Sequence, residues 1–163
     1  MEKIYLPLIK IEQQNKKNLI SKKEDKMKIR NYHQSDKDSV ISLWKEVFNP
    51  KQYHNTPELI IDMKIKNNDG LFYVAEQDNK IIGTVISGYD GHRGWIYSLA
   101  VHPKFRRKGI GTSLVNKALI KLEKLGCLKV NLQINRDNNN VIGFYEKNGF
   151  LTEERISMGK KIY

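Results

Sequence analysis

From residue 27 onward the apolar positions change period repeatedly, from alternate residues to every third or fourth and back, which predicts strands interleaved with helices. Residues 28–32 read as a first strand. Ser35-x-x-Asp38 has the spacing of a capping box, and the helix it opens would carry Val40, Leu43, Trp44, Val47 and Phe48 on one face. A second helix is predicted from Thr56 to about residue 66. Pro57 falls in its first turn, where a missing N–H costs nothing, and Asn67-Asn68-Asp69-Gly70 ends it.

Residues 71–76 and 80–87 are two apolar, β-branched runs joined by Gln77-Asp78-Asn79, a tight polar link that predicts a hairpin. After the loop Gly88-Tyr89-Asp90-Gly91-His92-Arg93-Gly94, a strand over 95–101 runs into His102-Pro103, where proline cannot donate to a ladder. The next helix covers about 109–125, with Ile110, Leu114, Ala118, Leu122 and Leu125 on its apolar face and Gly126 as its C-cap. Residues 129–134 alternate as a strand, 138–148 form a helix closed by Gly149, and 150–162 supply one or two final strands. This order defines an α+β fold around a mixed sheet.

Composition narrows the picture. A chain of 163 residues, 39% hydrophobic and 29% charged, suits one globular domain, and no apolar run approaches the roughly 18 residues of a spanning helix. Residues 1–26 are rich in Lys, Asn and Gln and lack Gly. They read as a flexible extension, or as an upstream start that the cell does not use, ahead of a domain over 27–163. A single cysteine, Cys127, excludes an internal disulfide and points to a reducing, cytoplasmic setting. With four histidines it gives no metal-ligand spacing. The net charge of +11 raises nucleic acid as a partner. Lysines spread over the whole chain, without interleaved aromatic residues, argue against it.

The junction from Val101 to Gly111 carries the most chemistry. A helix that starts directly after a strand presents unpaired N–H groups and a positive dipole end, a ready site for a pyrophosphate. Gly109 and Gly111 remove side chains from that start, and Lys104, Arg106, Arg107 and Lys108 add cations at its rim. A dinucleotide fingerprint would need a third glycine and a Walker loop a Gly-Lys-Ser or Gly-Lys-Thr, so both are excluded. A plain solvated turn is the other reading of Gly-x-Gly taken alone.

Arg106-x-x-Gly109-x-Gly111, behind Leu99-Ala100-Val101-His102-Pro103, resembles the acetyl-CoA loop of the GNAT superfamily of N-acetyltransferases. Asn138-x-x-Val141-x-x-Phe144-Tyr145-Glu146-x-x-Gly149-Phe150 is similar to that family's C-terminal motif, with valine at 141 where alanine is frequent. Residues 83–103 further resemble a bacterial subgroup labelled YpeA-like. The resemblance implies a GNAT-type fold, a mostly antiparallel central sheet flanked by helices in an α/β/α sandwich. It implies acetyl transfer from acetyl-CoA to a primary amine by direct attack in a ternary complex, the acceptor being a small molecule or a peptide. It leaves a homodimer open.

By the same resemblance, Leu99, Ala100 and Val101 would meet the pantetheine arm on a strand splayed from its neighbour. Arg106, Arg107, Lys108, Gly109, Ile110, Gly111 and Thr112 would hold the pyrophosphate, and Asn138 would contact the pantetheine region or act as a plain N-cap. Tyr145 would be the general acid that protonates the departing thiolate. Several family members carry a carboxylate on the strand before the loop, but residues 95–101 hold none. That departure leaves the base to water or to Asp90, His92 or Glu76, with Tyr97 as a wall of the acceptor tunnel. It also keeps two other readings in view: a non-catalytic acyl-CoA sensor, and a toxin-like enzyme that acylates charged tRNA.

Overall fold

The computed structural model describes residues 26–48 and 53–162. The expected extension over 1–26 therefore lies almost wholly outside the described residues. In chain order come β1 (Lys28–Asn31), α1 (Lys37–Phe48), α2 (Pro57–Asn67), β2 (Phe72–Gln77), β3 (Lys80–Tyr89), β4 (Gly94–Val101), α3 (Ile110–Lys124), β5 (Val130–Asn131) and α4 (Asn139–Lys147). Among the described residues the strands form one sheet in the order β1-β2-β3-β4-β5. Every pair is antiparallel except β4–β5, which is parallel.

The β2–β3 hairpin turns on Asp78 and Asn79, both left-handed at φ 51° and 57°, as a two-residue link between twisted strands requires. Apolar side chains then divide between the two faces of the sheet. Val40, Leu43, Trp44 and Ile61 from α1 and α2 pack with Phe72, Val74, Ile86 and Ala100 on one face. Ile110, Leu114, Val115 and Ala118 from α3, joined by Tyr145, pack with Tyr73, Ala75, Ile82, Val85 and Ile96 on the other. The Trp44 indole enters the first core with its polar atom satisfied, donating to Thr84 Oγ1 at 2.8 Å.

One irregularity shapes β4. Ile86 pairs with Tyr97 and Thr84 with Ala100, two steps on β3 against three on β4, and Ser98 sits at φ 45°. The extra residue is a β-bulge, and it reverses the alternation of side chains. Ile96 therefore faces α3, whereas Ala100, an even number of residues later, faces α1.

Several expectations need correction. The capping box forms two residues earlier than Ser35-x-x-Asp38: His33 and Asp36 satisfy each other's amides around a short 3-10 turn, and the α-helix begins at Lys37. Asp36 is drawn there by Arg30, whose guanidinium grips both carboxylate oxygens at 2.7 and 2.8 Å. Leu125 is the C-cap of α3 and is exposed, so it leaves the apolar face. The strand expected over 129–134 shrinks to Val130–Asn131, because only Gly94 and Trp95 of β4 lie in register with it. Residues 150–162 form no strand at all. Leu151, Ile156, Met158 and Ile162 stand in solvent, and side-chain bonds from Lys129 to Glu153 and from Gln133 to Ser157 tie the segment to the body.

Candidate active site

The start of α3 is pressed onto the sheet by a missing side chain. A Cβ on Gly83 of β3 would lie 3.0 Å from Leu114, 3.1 Å from the Ala100 carbonyl and 3.3 Å from Ile110. Glycine thus lets the first turn of α3 seat on β3 and β4, and it fixes where that helix points. An isolated glycine inside a strand pattern is the signal that could have found it.

Between strand and helix the chain makes a 3-10 turn, Pro103–Phe105, capped by the His102 ring, which accepts from the Lys104 amide at 3.2 Å. Arg106 Nε donates to the Val101 carbonyl at 3.0 Å and so closes the loop back onto β4. Lys108 lies over the Phe105 ring at 5.2 Å. Arg107 and Gly109 both have positive φ, 60° and 78°, and Gly109 is the N-cap of α3. The Ser113 amide is the first of the helix to find a carbonyl, that of Gly109 at 3.0 Å. The amides of Ile110, Gly111 and Thr112 precede it and project from the helix start. Ile110 and Ala100 are buried, so each has only its main chain to offer a ligand.

The glycines of this loop do different work. A Cβ on Gly109 would meet nothing within 4 Å, so its freedom serves the left-handed backbone and an open face. A Cβ on Gly111 would lie 3.2 Å from two atoms of the Phe144 ring. Gly109 thus stands beside open space, whereas Gly111 stands where α4 packs against the helix start. This contact ties the loop to the residue beside Phe144.

That residue is Tyr145. It is 7% exposed, and edge-on to Phe144 and Phe150 at centroid distances of 5.0 and 5.3 Å. Burial pushes its phenol up to about 12, so it is a neutral O–H at physiological pH. It also lines a groove of about 1720 Å³ between α3, β5, α4 and the C-terminal segment, together with Leu119, Leu132, Ile134 and Ile142. Leu99 and Val101 pack against the same core. Asn138 is an N-cap, its side chain accepting from the Val141 amide at 3.4 Å.

Beyond Trp95, β4 parts from β5. Gly94 and Trp95 pair with Val130 and Asn131, and the rest of β4, bulge included, has β3 alone as a neighbour. The strand edge around Ser98 to Val101 is therefore open beside the glycine loop, as an added extended ligand would need.

Of the candidate bases, Glu76 is held by Arg30 at 2.6 Å and Lys28 at 3.1 Å, and those hydrogen bonds keep its carboxyl below the usual range. Asp90 accepts the amides of Arg93 and His92 at 2.6 and 2.8 Å, which lower it likewise. Neither is a free proton acceptor. His92 is exposed on the same loop. Cys127 packs under Gly94, and its thiol donates to the Lys129 carbonyl at 3.2 Å.

A sheet opened along one strand, next to a helix start that offers bare amides, is the architecture of an acyltransferase that takes a nucleotide-linked thioester. The profile of the acetyltransferase (GNAT) family matches residues 37–150, and the chain belongs to that family. It is an acetyltransferase, and its donor is acetyl-CoA. An acetyltransferase of Pectobacterium atrosepticum is 42% identical over 136 residues, 83% of this chain and 96% of the relative. Among solved structures, Ard1 from Thermoplasma volcanium is 28% identical with a TM-score of 0.68, covering 77% of this chain and 82% of its own. The PaiA N-acetyltransferase from Thermoplasma acidophilum, in complex with coenzyme A, is 23% identical with a TM-score of 0.70, covering 80% and 93%. Among the described residues no helix is long and apolar enough to cross a membrane.

Proposed function

We propose that this enzyme transfers the acetyl group of acetyl-CoA to a primary amine by direct attack within a ternary complex. The observation that carries the reading is the juxtaposition of the open, bulged edge of β4 with the free amides at the start of α3. The main-chain amides of Ile110, Gly111 and Thr112, with Arg107 and Lys108 at the rim, would hold the pyrophosphate. The backbone of Leu99, Ala100 and Val101 would pair with the pantetheine arm, which brings the thioester carbonyl to the bulge. An amide there, freed from the ladder, would stabilise the oxyanion as the amine adds. Asn138 is proposed to serve as the cap of α4 and so to hold that helix's first turn near the arm.

Tyr145 is the general acid in this scheme. A buried phenol that stays protonated well above neutral pH has the state needed to give a proton to the leaving thiolate. Glu76 and Asp90 are committed to neighbouring donors, which supports water as the acceptor of the amine's proton. Cys127, packed and bonded to a carbonyl, supports transfer without an acetyl-enzyme.

Release of free thiol from acetyl-CoA with a panel of primary amines tests the reading. Intersecting initial-rate lines and no mass increase on the enzyme incubated with acetyl-CoA are expected. Parallel lines, or an acetylated enzyme that passes its acetyl group on to the amine, would sink the direct-attack scheme.

A further inference from the structure

Trp95 and Tyr97 stand on β4 just before the bulge, on the side of the strand away from Ile96. Their rings are nearly parallel, 15° between planes, with centroids 6.4 Å apart, close to the ~6.6 Å of two residues along a strand. Tyr97 is 48% exposed although it sits in the fourth strand of a five-stranded sheet. Gly88, opposite Trp95, supplies no side chain to cover it; a Cβ there would lie 3.4 Å from the Tyr97 ring. The aromatic surface is thus kept bare by a glycine, at the point where β4 leaves β5.

The ledge is held from behind. Asp90 receives the amides of His92 and Arg93, and those bonds first, with the Trp95 side chain last, hold its carboxyl below the usual range. With these donors in place, Asp90 fixes the loop that precedes Trp95. What remains for recognition is a flat apolar surface one residue from the bulge.

We propose that Trp95 and Tyr97 are the acceptor-recognition surface, and that the acceptor is a primary amine carrying an aromatic ring a few atoms from its nitrogen. The ring would lie on Tyr97 and Trp95 while the amine reaches the thioester at the bulge. This inference rests on the acetyl-transfer reading above and adds to it the class of substrate.

The test compares 2-phenylethylamine with 2-cyclohexylethylamine, which differ in aromaticity and little in size. An aromatic contact predicts a preference of about five- to tenfold in kcat/KM for the phenyl compound. Tyr97→Leu is expected to bring that ratio near one by raising the amine KM, with the acetyl-CoA KM moved less than twofold, and Tyr97→Phe to restore it. A ratio near one in the wild type, or one that Tyr97→Leu leaves intact, overturns the ledge and leaves the transferase reading standing. Should neither amine release thiol, Trp95 emission is titrated with each amine in the presence of coenzyme A. Trp44 is fully buried, so quenching by the phenyl compound alone, lost in Tyr97→Leu, would uphold the ledge. No difference between the amines would overturn it. Absence of calorimetric heat with acetyl-CoA would instead remove the reading beneath it.

Discussion

At its C-terminal end β4 meets a helix start fixed from several directions: Gly83 seats α3, Arg106 closes the loop onto Val101, and Phe144 fills the space over Gly111. At its N-terminal half the same strand carries an exposed tyrosine, a glycine opposite, and a loop held by one carboxylate. The first end is built from backbone and packing, which suits the proposed pyrophosphate, a group that is the same in every turnover and can be met by main-chain amides. The second is built from side chains, which suits the proposed acceptor surface, since the acceptor is what distinguishes one such enzyme from another. Donor affinity should therefore respond to changes of backbone conformation, and acceptor choice to changes of side chain.

The largest test of this division falls between the two ends, at Tyr145. Tyr145→Phe removes one oxygen and none of the ring packing. Loss of a general acid typically costs about 10²–10⁴ in rate. The expected outcome is a kcat lowered by that order, with the acetyl-CoA KM within twofold of wild type in steady-state assays. An equal rise in the donor KM would place Tyr145 in binding and blur the division.

The same residue predicts a pH effect on stability. Its folded pKa, about 12, lies above the ordinary value of 10, so the native state holds the phenol's proton more tightly than the unfolded chain does. The contribution is fully present below pH 10 and is lost as pH rises from 10 to 12. That gap corresponds to about 2–3 kcal/mol. Urea unfolding of wild type and Tyr145→Phe across this range should show the wild type losing more stability, since the lysine titrations are common to both. Parallel curves would mean that the phenol is not shielded from water.

At the donor end, Gly109→Val places a β-branched residue at φ 78°. Strain of about 1–3 kcal/mol falls on the loop, equivalent to roughly 5- to 150-fold in acetyl-CoA affinity by calorimetry. No atom lies within 4 Å of the new Cβ, so no clash adds to that strain, and the thermal transition should fall by about 2–4 °C per kcal/mol of it and no further. Acceptor preference should not change.

How much of this was legible in the sequence follows the same division. The loop could be read because its chemistry needs local features in order, a strand, a proline, glycines and an amphipathic helix. The hairpin likewise announced itself through Asp78-Asn79. What escaped depends on distant partners. The cap formed at His33 and Asp36 because Arg30, from β1, claimed the carboxylate. The bulge at Ser98 has no signature in Ile-Tyr-Ser-Leu-Ala, yet it decides that Tyr97 and Ala100 share a face. Residues 150–162 carry strand formers such as Ile156 and Ile162 but pair with none of the described strands, and a strand former without a partner makes no ladder. The spacing of Gly111 points to phosphate approach, and does not show the contact with Phe144, which belongs to a helix thirty-odd residues downstream.

That contact gives the smallest expected effect. Gly111 lies within α3, so alanine there relieves the backbone cost of glycine in a helix, and a phosphate-clearance role would be the only reason for harm near the donor. The structure assigns the harm elsewhere: the new methyl would sit 3.2 Å from Phe144, and the ring must shift by a few tenths of an ångström. Overpacking of this kind costs about 1 kcal/mol or slightly more. Phe144 is bonded in sequence to Tyr145, so the shift reaches the acid and not the loop amides. Gly111→Ala should lower kcat several-fold while acetyl-CoA affinity stays within about threefold. The paired variant Gly111→Ala with Phe144→Leu, which makes room for the methyl, should recover part of the rate. A donor affinity lost in both variants would mean that the space at Gly111 serves phosphate approach, and would remove the mechanical link between the loop and α4.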